Sequence, residues 1–137
     1  MRRPVTSIAL ALLVCSAFGG SSTSVSAQSK SCPALTSYDR DQDGTLDLAE
    51  AKTAATALFD KLDADKDGSL DAKELKGRMT AGKVRANDND HDGTLDKPEY
   101  LTIVETRFKA ADADKDGTID CKEAATKAGK TLLQLLR

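Results

Sequence analysis

Apolar residues recur at helical spacing in two segments of the chain, residues 51–62 and 100–111. In AKTAATALFDKL and YLTIVETRFKAA, apolar side chains follow one another at intervals of three and four residues, the spacing of a helix with one buried face. The first set is Ala51, Ala54, Ala55, Leu58, Phe59 and Leu62, and the second is Tyr100, Ile103, Val104, Phe108 and Ala111. The pattern predicts two amphipathic helices, with Phe59 and Phe108 in the core.

Acidic segments of twelve residues flank both predicted helices and follow a single pattern. They occupy residues 39–50, 63–74, 88–99 and 112–123. Each has Asp at positions 1, 3, 5 and 9, Gly at position 6, Leu or Ile at position 8 and Glu at position 12. Only residues 51–62 separate the first two segments, so one helix must leave the first and lead into the second. The pattern therefore predicts an all-α fold with helices shared between neighbouring loops.

The repeated segment is typical of the EF-hand loop, which surrounds a hard cation with six to eight oxygen atoms. All but Asp60 and Glu105 of the 22 acidic residues fall in these four segments. Acidic residues needed only for solubility would be scattered, so the clustering predicts metal binding, with up to four ions held. The predicted ligands are Asp39, Asp41, Asp43, Thr45, Asp47 and Glu50; Asp63, Asp65, Asp67, Ser69, Asp71 and Glu74; Asp88, Asp90, Asp92, Thr94, Asp96 and Glu99; and Asp112, Asp114, Asp116, Thr118, Asp120 and Glu123.

Folding is expected to depend on the bound ions. The chain has only three phenylalanines, two tyrosines and no tryptophan, so it has few large side chains to bury. Carboxylates that converge on one loop repel each other until a cation is bound. Cation binding to the folded form then contributes directly to stability.

The connection between the second and third loops differs from the two shared helices. Gly77 and Gly82 disfavour a continuous helix in residues 75–87, and Thr80 is a candidate cap for a new one. Two short helices with a bend are expected, which place loops two and three at one end of a U and loops one and four at the other. A single straight helix would instead place loops one and three together. A final helix, residues 121–135, is expected to bury Ala124, Ala128, Leu132, Leu135 and Leu136.

Residues 1–27 have the features of a secretory signal peptide, leaving residues 28–137 as one metal-binding domain. Arg2 and Arg3 precede an apolar stretch, and small residues precede Gln28. The apolar stretch is shorter than the ~20 residues of a membrane-spanning helix, and a lipoprotein signal at Cys15 is disfavoured by the bulky Val14. A periplasmic or secreted protein is expected.

Two cysteines, Cys32 and Cys121, follow the predicted leader. An even number of cysteines in an exported protein favours a disulfide bond, with two unrelated thiols as the alternative. Cys32 precedes loop one and Cys121 lies in loop four, so the U-shaped path would bring them to the same end.

The chain resembles the lanmodulins, periplasmic lanthanide-binding proteins of methylotrophic and related bacteria. The resemblance is carried by four closely spaced loops, Asp at every position 9, and segments such as FDKLD, DAKELKGR and DGTLDKPEYL. It implies a compact three-helix bundle with the loops at its periphery. It also implies that the loops bind lanthanide(III) ions and, in addition, Ca²⁺. One difference is that the best-known family loops have proline at position 2, where this chain has Arg40, Ala64, Asn89 and Ala113.

Three functions are compatible with an exported protein of this kind. A metal carrier or buffer is favoured over a calcium sensor acting on a periplasmic partner, because sensor grooves are rich in methionine and only Met79 follows the leader. An enzyme is disfavoured, since the one histidine, His91, lies at an outward position of loop three. The sequence has no basic patch with interleaved aromatic residues, so nucleic acid is disfavoured as a partner. A monomer without membrane contact after leader cleavage is expected.

Overall fold

A computed structural model describes residues 32–137, so the predicted leader and its cleavage point lie outside the described residues. Within this range the chain is mostly helical, with four two-residue strands. In chain order the elements are β1 (Leu46–Asp47), α1 (Leu48–Leu62), β2 (Ser69–Leu70), α2 (Ala81–Arg85), β3 (Leu95–Asp96), α3 (Lys97–Ala111), β4 (Thr118–Ile119), α4 (Cys121–Ala125) and α5 (Lys127–Leu136).

The two predicted amphipathic helices form as α1 and α3, and each connects two loops. Both begin at a capping box, in which the position-9 Asp of the preceding loop accepts a hydrogen bond from the backbone of the position-12 Glu. Both end at the first residue of the next loop, where Asp63 and Asp112 donate their N–H groups to Phe59 O and Phe108 O, each at 2.9 Å. The shared-helix design predicted from the sequence is confirmed.

The core lies among α1, α3 and α5, which contact each other in pairs. Phe59 and Tyr100 meet with ring centroids 5.8 Å apart, and Phe108 is 2% exposed. The Tyr100 hydroxyl donates a 2.6 Å hydrogen bond to Leu135 O, which joins α3 to α5 at a buried position. Burial raises the pKa of Tyr100 to about 12. The predicted all-α bundle is thereby confirmed.

The connection between loops two and three contains a single regular helix, α2, in the described chain. Residues 72–78 form turns, in which Leu75 O accepts from the N–H groups of Arg78 and Met79 at 3.0 Å. Gly77 has φ +85°, a left-handed conformation that stops helix growth. Thr80 is the N-cap of α2 but makes no side-chain capping hydrogen bond. The first of the two predicted short helices is therefore a series of turns.

The expected single helix over residues 121–135 is wrong, because the chain breaks at Thr126. Thr126 has φ −68° and ψ 169°, so it ends α4 and begins α5. Its hydroxyl donates to Glu123 O at 2.6 Å and accepts from Gly129 N at 3.0 Å. A Cβ at Gly129 would lie 2.1 Å from Glu123 O, so only glycine permits this close approach. The break turns α5 against the bundle.

The reoriented α5 buries a slightly different set of residues from the one predicted. Ala124, Leu132, Leu135 and Leu136 are buried as expected, whereas Ala128 is only partly buried. Leu133, which was not in the predicted set, is 2% exposed. Among residues 32–137, no helix has the length and apolar character needed to cross a membrane.

Candidate metal centres

Each loop turns sharply through two residues with positive φ. The position-6 glycines have φ between 89° and 93°, a conformation that glycine adopts without strain. Position 4 is also left-handed although no glycine stands there, with φ between 59° and 62° at Gln42, Lys66, His91 and Lys115. Gln and Lys give no sequence signal of a positive φ, and His gives only a weak one. His91 is exposed at this turn, in keeping with its predicted outward position.

The turns bring acidic side chains from distant loop positions to one point. In each loop, three carboxylates offer oxygen atoms within 4.8 Å of one another. Loop one joins positions 1, 3 and 5, and the other loops join positions 1, 3 and 12. The four groups are Asp39, Asp41 and Asp43; Asp63, Asp65 and Glu74; Asp88, Asp90 and Glu99; and Asp112, Asp114 and Glu123.

The position-1 carboxylates provide the strongest indication of a cation. In Asp39, Asp63 and Asp112, Oδ2 accepts a hydrogen bond from the position-6 glycine N–H at 3.0 to 3.1 Å. The other oxygen of each, Oδ1, is buried and has no hydrogen-bond partner among the described residues. A buried carboxylate oxygen without a donor is costly, because it has lost water and gained nothing in exchange. A cation at the centre of each of these loops would compensate the buried oxygen of that loop's first aspartate, so these residues fit a hard metal ion.

Loop three satisfies its first carboxylate differently. Asp88 is 5% exposed, and its Oδ1 accepts from Asp92 N at 3.2 Å while its Oδ2 accepts from Gly93 N at 2.9 Å. Burial raises the pKa of Asp88, but these backbone hydrogen bonds and one with Asp90 outweigh it and lower the pKa overall. Loop three therefore compensates part of its own charge through the backbone.

The position-12 glutamates close each loop across its width. In loop four, Glu123 Oε1 accepts from Ala113 N at 2.7 Å and Oε2 accepts from Asp120 N at 3.0 Å. Glu50, Glu74 and Glu99 make the same two contacts in their loops. Both oxygens are thus held near the loop opening, where a bidentate ligand is needed.

The position-9 aspartates are placed differently from the other predicted ligands. Oδ1 of Asp47, Asp71, Asp96 and Asp120 accepts the N–H of the position-12 Glu at 2.7 to 2.9 Å. This oxygen therefore caps the following turn or helix. The second oxygen, Oδ2, is left for the metal site, which agrees with the usual contact of position 9 to the ion through water.

Positions 3 and 5 show how closely packed the charges are. In loop one, the Thr45 hydroxyl and Thr45 N both donate to Asp43 Oδ1, at 2.6 and 2.8 Å, and lower the pKa of Asp43. Asp41 accepts a hydrogen bond from Asp43 N that lowers its pKa, but burial and the charges of Asp43, Glu50 and Asp39 together raise it. Without an ion, the carboxylates of loop one therefore repel each other.

The loops associate in two antiparallel pairs. Strand β1 pairs with β4 through Leu46↔Ile119, and β2 pairs with β3 through Leu70↔Leu95. These four position-8 residues are fully buried, so each pair is anchored in the core. Loop one therefore lies beside loop four and loop two beside loop three, and the predicted U-shaped path is confirmed.

Cys32 and Cys121 are neighbours, but the predicted disulfide is not formed among the described residues. A hydrogen bond between the two side chains raises the pKa of Cys121 to about 11, with burial and the charge of Asp120 adding to the effect. The two side chains are thus hydrogen-bonded, but their sulfur atoms are not at disulfide-bonding distance. The predicted proximity is present, whereas the covalent bond is not confirmed.

The EF-hand family model matches residues 56–79 and 103–123. The two matches contain loops two and four, together with the later part of the helix that leads into each. These matches indicate an EF-hand protein. No curated protein matches the chain.

The EF-hand matches and the acidic clusters together indicate binding of calcium or another metal ion. EF-hand proteins are typically binding or regulatory proteins. The lanmodulin resemblance is not tested by these matches, since they identify the EF hand in general.

Proposed function

We propose that the protein is an exported metal carrier or buffer that binds hard cations in all four EF-hand loops and prefers lanthanide(III) ions to Ca²⁺. The observation that carries this proposal is the partnerless, buried Oδ1 of Asp39, Asp63 and Asp112. Each oxygen belongs to a group of converging carboxylates. An ion at the centre of each group accounts for it.

The ligands in this proposal are the side chains at positions 1, 3, 5 and 12, the backbone carbonyl at position 7, and position 9 through water. Loops two and four have family support. Loops one and three rest on the same sequence pattern, on converging carboxylates and on the same pair of position-12 glutamate contacts. The regular geometry favours four ions per chain.

The preference for a trivalent ion follows from charge. Each loop carries five acidic side chains, so the carboxylates and a divalent ion together have a formal charge of −3, and with a trivalent ion −2. The trivalent ion also gains more from each carboxylate at the same distance. The lanmodulin resemblance points in the same direction.

The carrier or buffer role is favoured over a calcium sensor by the placement of methionine. A sensor exposes a flexible, methionine-rich groove when it binds calcium. Met79 is 6% exposed and belongs to the core. Export rests on the predicted leader, residues 1–27.

Competitive titration tests the proposal. Metal-free protein is titrated with La³⁺ in the presence of excess Ca²⁺, and then in the reverse order, while circular dichroism and isothermal calorimetry follow the ions bound. We expect La³⁺ to displace Ca²⁺ with a stoichiometry of up to four. Displacement of La³⁺ by equimolar Ca²⁺ would rule out the lanthanide preference. Failure of both ions to bind would rule out the metal-binding function itself.

A further inference from the structure

The two cysteines lie beside the loop one–loop four pair, with Cys32 before loop one and Cys121 within loop four. Cys32 is 8% exposed, and its carbonyl accepts hydrogen bonds from Leu35 N at 2.8 Å and Thr36 N at 3.0 Å. The turn that follows is anchored by the fully buried Leu35, whose carbonyl accepts from Asp39 N at 3.0 Å. Cys32 is therefore connected rigidly to the first ligand position of loop one.

Cys121 is fixed in the same way to loop four. It is the first residue of α4, directly after the capping residue Asp120 and beside strand β4. It occupies position 10 of the loop, which supplies no ligand. The Cys32 and Cys121 side chains are hydrogen-bonded to each other, so the contact bridges two elements that are 89 residues apart in the chain. Because Cys32 is joined to loop one and Cys121 to loop four, we expect this contact to depend on the pairing of β1 with β4.

We propose that Cys32 and Cys121 form a reversible thiol–disulfide site whose oxidation is coupled to cation binding in loops one and four. The oxidant is a small disulfide or a dithiol–disulfide oxidoreductase. One cysteine thiolate attacks the disulfide RSSR, which forms a mixed disulfide and releases one RSH. The second cysteine thiolate then attacks the sulfur of the first cysteine, which forms the Cys32–Cys121 disulfide and releases the other RS group as RSH. Overall, two protein thiols are oxidised, and one RSSR is reduced to two RSH.

The coupling follows from the shared requirement for the β1–β4 pair, and it rests on the proposed metal binding. Without ions, the carboxylates of loops one and four repel each other across the pair and favour separation. A cation in each loop reduces this repulsion and so favours the hydrogen-bonded contact of the two cysteine side chains. The disulfide in turn holds the two loops together before any ion binds. Because linkage is reciprocal, both effects must have the same magnitude.

Thiol–disulfide equilibrium in glutathione buffers tests this inference. The purified chain carries Cys15→Ser, so that Cys32 and Cys121 are its only thiols, and the fraction of disulfide is measured by alkylation and intact mass. The equilibrium constant for the bond is expected to rise about tenfold when La³⁺ is added, which is within the usual range of coupling between sites. By reciprocity, oxidised protein should bind its loop one and loop four ions about tenfold more tightly than reduced protein.

Two double variants identify the loops responsible. Glu50→Gln with Glu123→Gln weakens loops one and four and should abolish the effect of La³⁺ on the bond. Glu74→Gln with Glu99→Gln makes the same change in loops two and three and should leave the effect of La³⁺ on the bond intact. Cys32→Ser should bind La³⁺ with an affinity independent of the glutathione ratio.

The outcomes separate this inference from the proposed function. A bond that forms with the same constant with and without bound La³⁺ would overturn the coupling while leaving the metal-binding function intact. A disulfide that never forms at any glutathione ratio would overturn the redox site. Absence of La³⁺ and Ca²⁺ binding in calorimetry would instead overturn the proposed function.

Discussion

At the scale of single residues, each loop combines ligand geometry with helix capping. The position-9 Asp caps the following turn with one oxygen, and the position-12 Glu returns to accept that residue's own N–H. This reciprocal pair places the glutamate at the loop opening before any ion binds. The ligand that closes the site is thus preorganised by the same hydrogen bonds that begin α1, α3 and α4.

Glu74→Gln is expected to remove high-affinity binding in loop two. The amide keeps the size of the side chain, but it loses the charge and the bidentate contact, so the affinity of that loop should fall at least about a hundredfold, beyond the 10- to 100-fold cost of disturbing an outer-shell group. Calorimetry should then find one fewer tightly bound ion.

Asp60→Asn is the matched control, because Asp60 is an acidic residue outside the loops that forms an exposed ion pair with Lys97. This variant should retain the full stoichiometry. Equal ion counts in Glu74→Gln and the wild type would mean that the position-12 ligand is misassigned.

Gly129→Ala is expected to destabilise the fold. The new Cβ would lie 2.1 Å from Glu123 O and 2.7 Å from Ala124 Cα, both backbone atoms, so α4 and α5 must separate. A cost of about 1–3 kcal/mol in the free energy of unfolding is expected.

Gly82→Ala, in α2, is the control for this substitution. Its Cβ would meet no atom within 4 Å, so stability should be unchanged or should rise by about 0.4–1 kcal/mol. Urea unfolding of the metal-loaded proteins measures both. Similar stability of the two variants would contradict the close-packed arrangement around Thr126.

At the scale of elements, the sequence predicted the helices that are defined by periodicity and by fixed loop boundaries. Residues 51–62 and 100–111 lie between two loops each, so little freedom remained in how they fold. The break at Thr126 was not predictable, because it depends on the contact of Gly129 with Glu123 O, which no local pattern reports. The turns at residues 72–78 were predicted as a short helix. A glycine lowers the helix propensity of a segment, but it does not determine at which residue the helix ends.

The site residues were easier to predict than the connections. Twelve-residue loops determine their own geometry, so the carboxylates at positions 1 and 3 converge in every loop as the spacing required. The left-handed position 4 was not predicted, since Gln and Lys have no preference for positive φ and one enriched residue type, His91, in a single loop does not indicate a conformation shared by all four. Loop pairing was predicted only after the middle connection was assumed to bend.

Glu105 connects α1 to α3 and should make the stability of the bundle depend on pH. It accepts hydrogen bonds from Lys109 and Lys52, each at 2.7 Å, and these lower its pKa to about 2 from the usual 4.5. A carboxyl group with a lowered pKa stabilises the folded state above its unfolded-state pKa, and the contribution is lost as pH falls through the folded-state pKa. The stabilising effect should therefore be complete at neutral pH and disappear between pH 4.5 and about 2.

Comparison of the wild type with Glu105→Gln isolates this effect, because the loop carboxylates titrate in both proteins. The difference in the free energy of unfolding should be small and positive at pH 7, as expected for a half-exposed ion pair, and should vanish near pH 2. A difference that persists unchanged at pH 2 would show that the residue acts through packing and not through charge.

At the scale of the whole molecule, the core and the loops depend on each other. The buried position-8 residues Leu46, Leu70, Leu95 and Ile119 belong both to the loop pairs and to the hydrophobic core. Separation of a loop pair by charge repulsion therefore opens the core at one end of the bundle. Through the same contacts, an ion that holds a loop pair together stabilises the packing of α1, α3 and α5.

Removal of metal should consequently reduce helix content and thermal stability across the entire chain. Three position-1 carboxylates each have a buried oxygen without a hydrogen-bond partner among the described residues, and burial together with the neighbouring carboxylates raises the pKa of Asp41. Each ion that binds only the folded form adds about 2.7 kcal/mol at a free concentration 100 times its dissociation constant. Circular dichroism and thermal unfolding with chelator, and then with La³⁺ or Ca²⁺ restored, should show a large reversible change. Equal helicity and equal unfolding temperature in both states would mean that the apolar core alone maintains the fold.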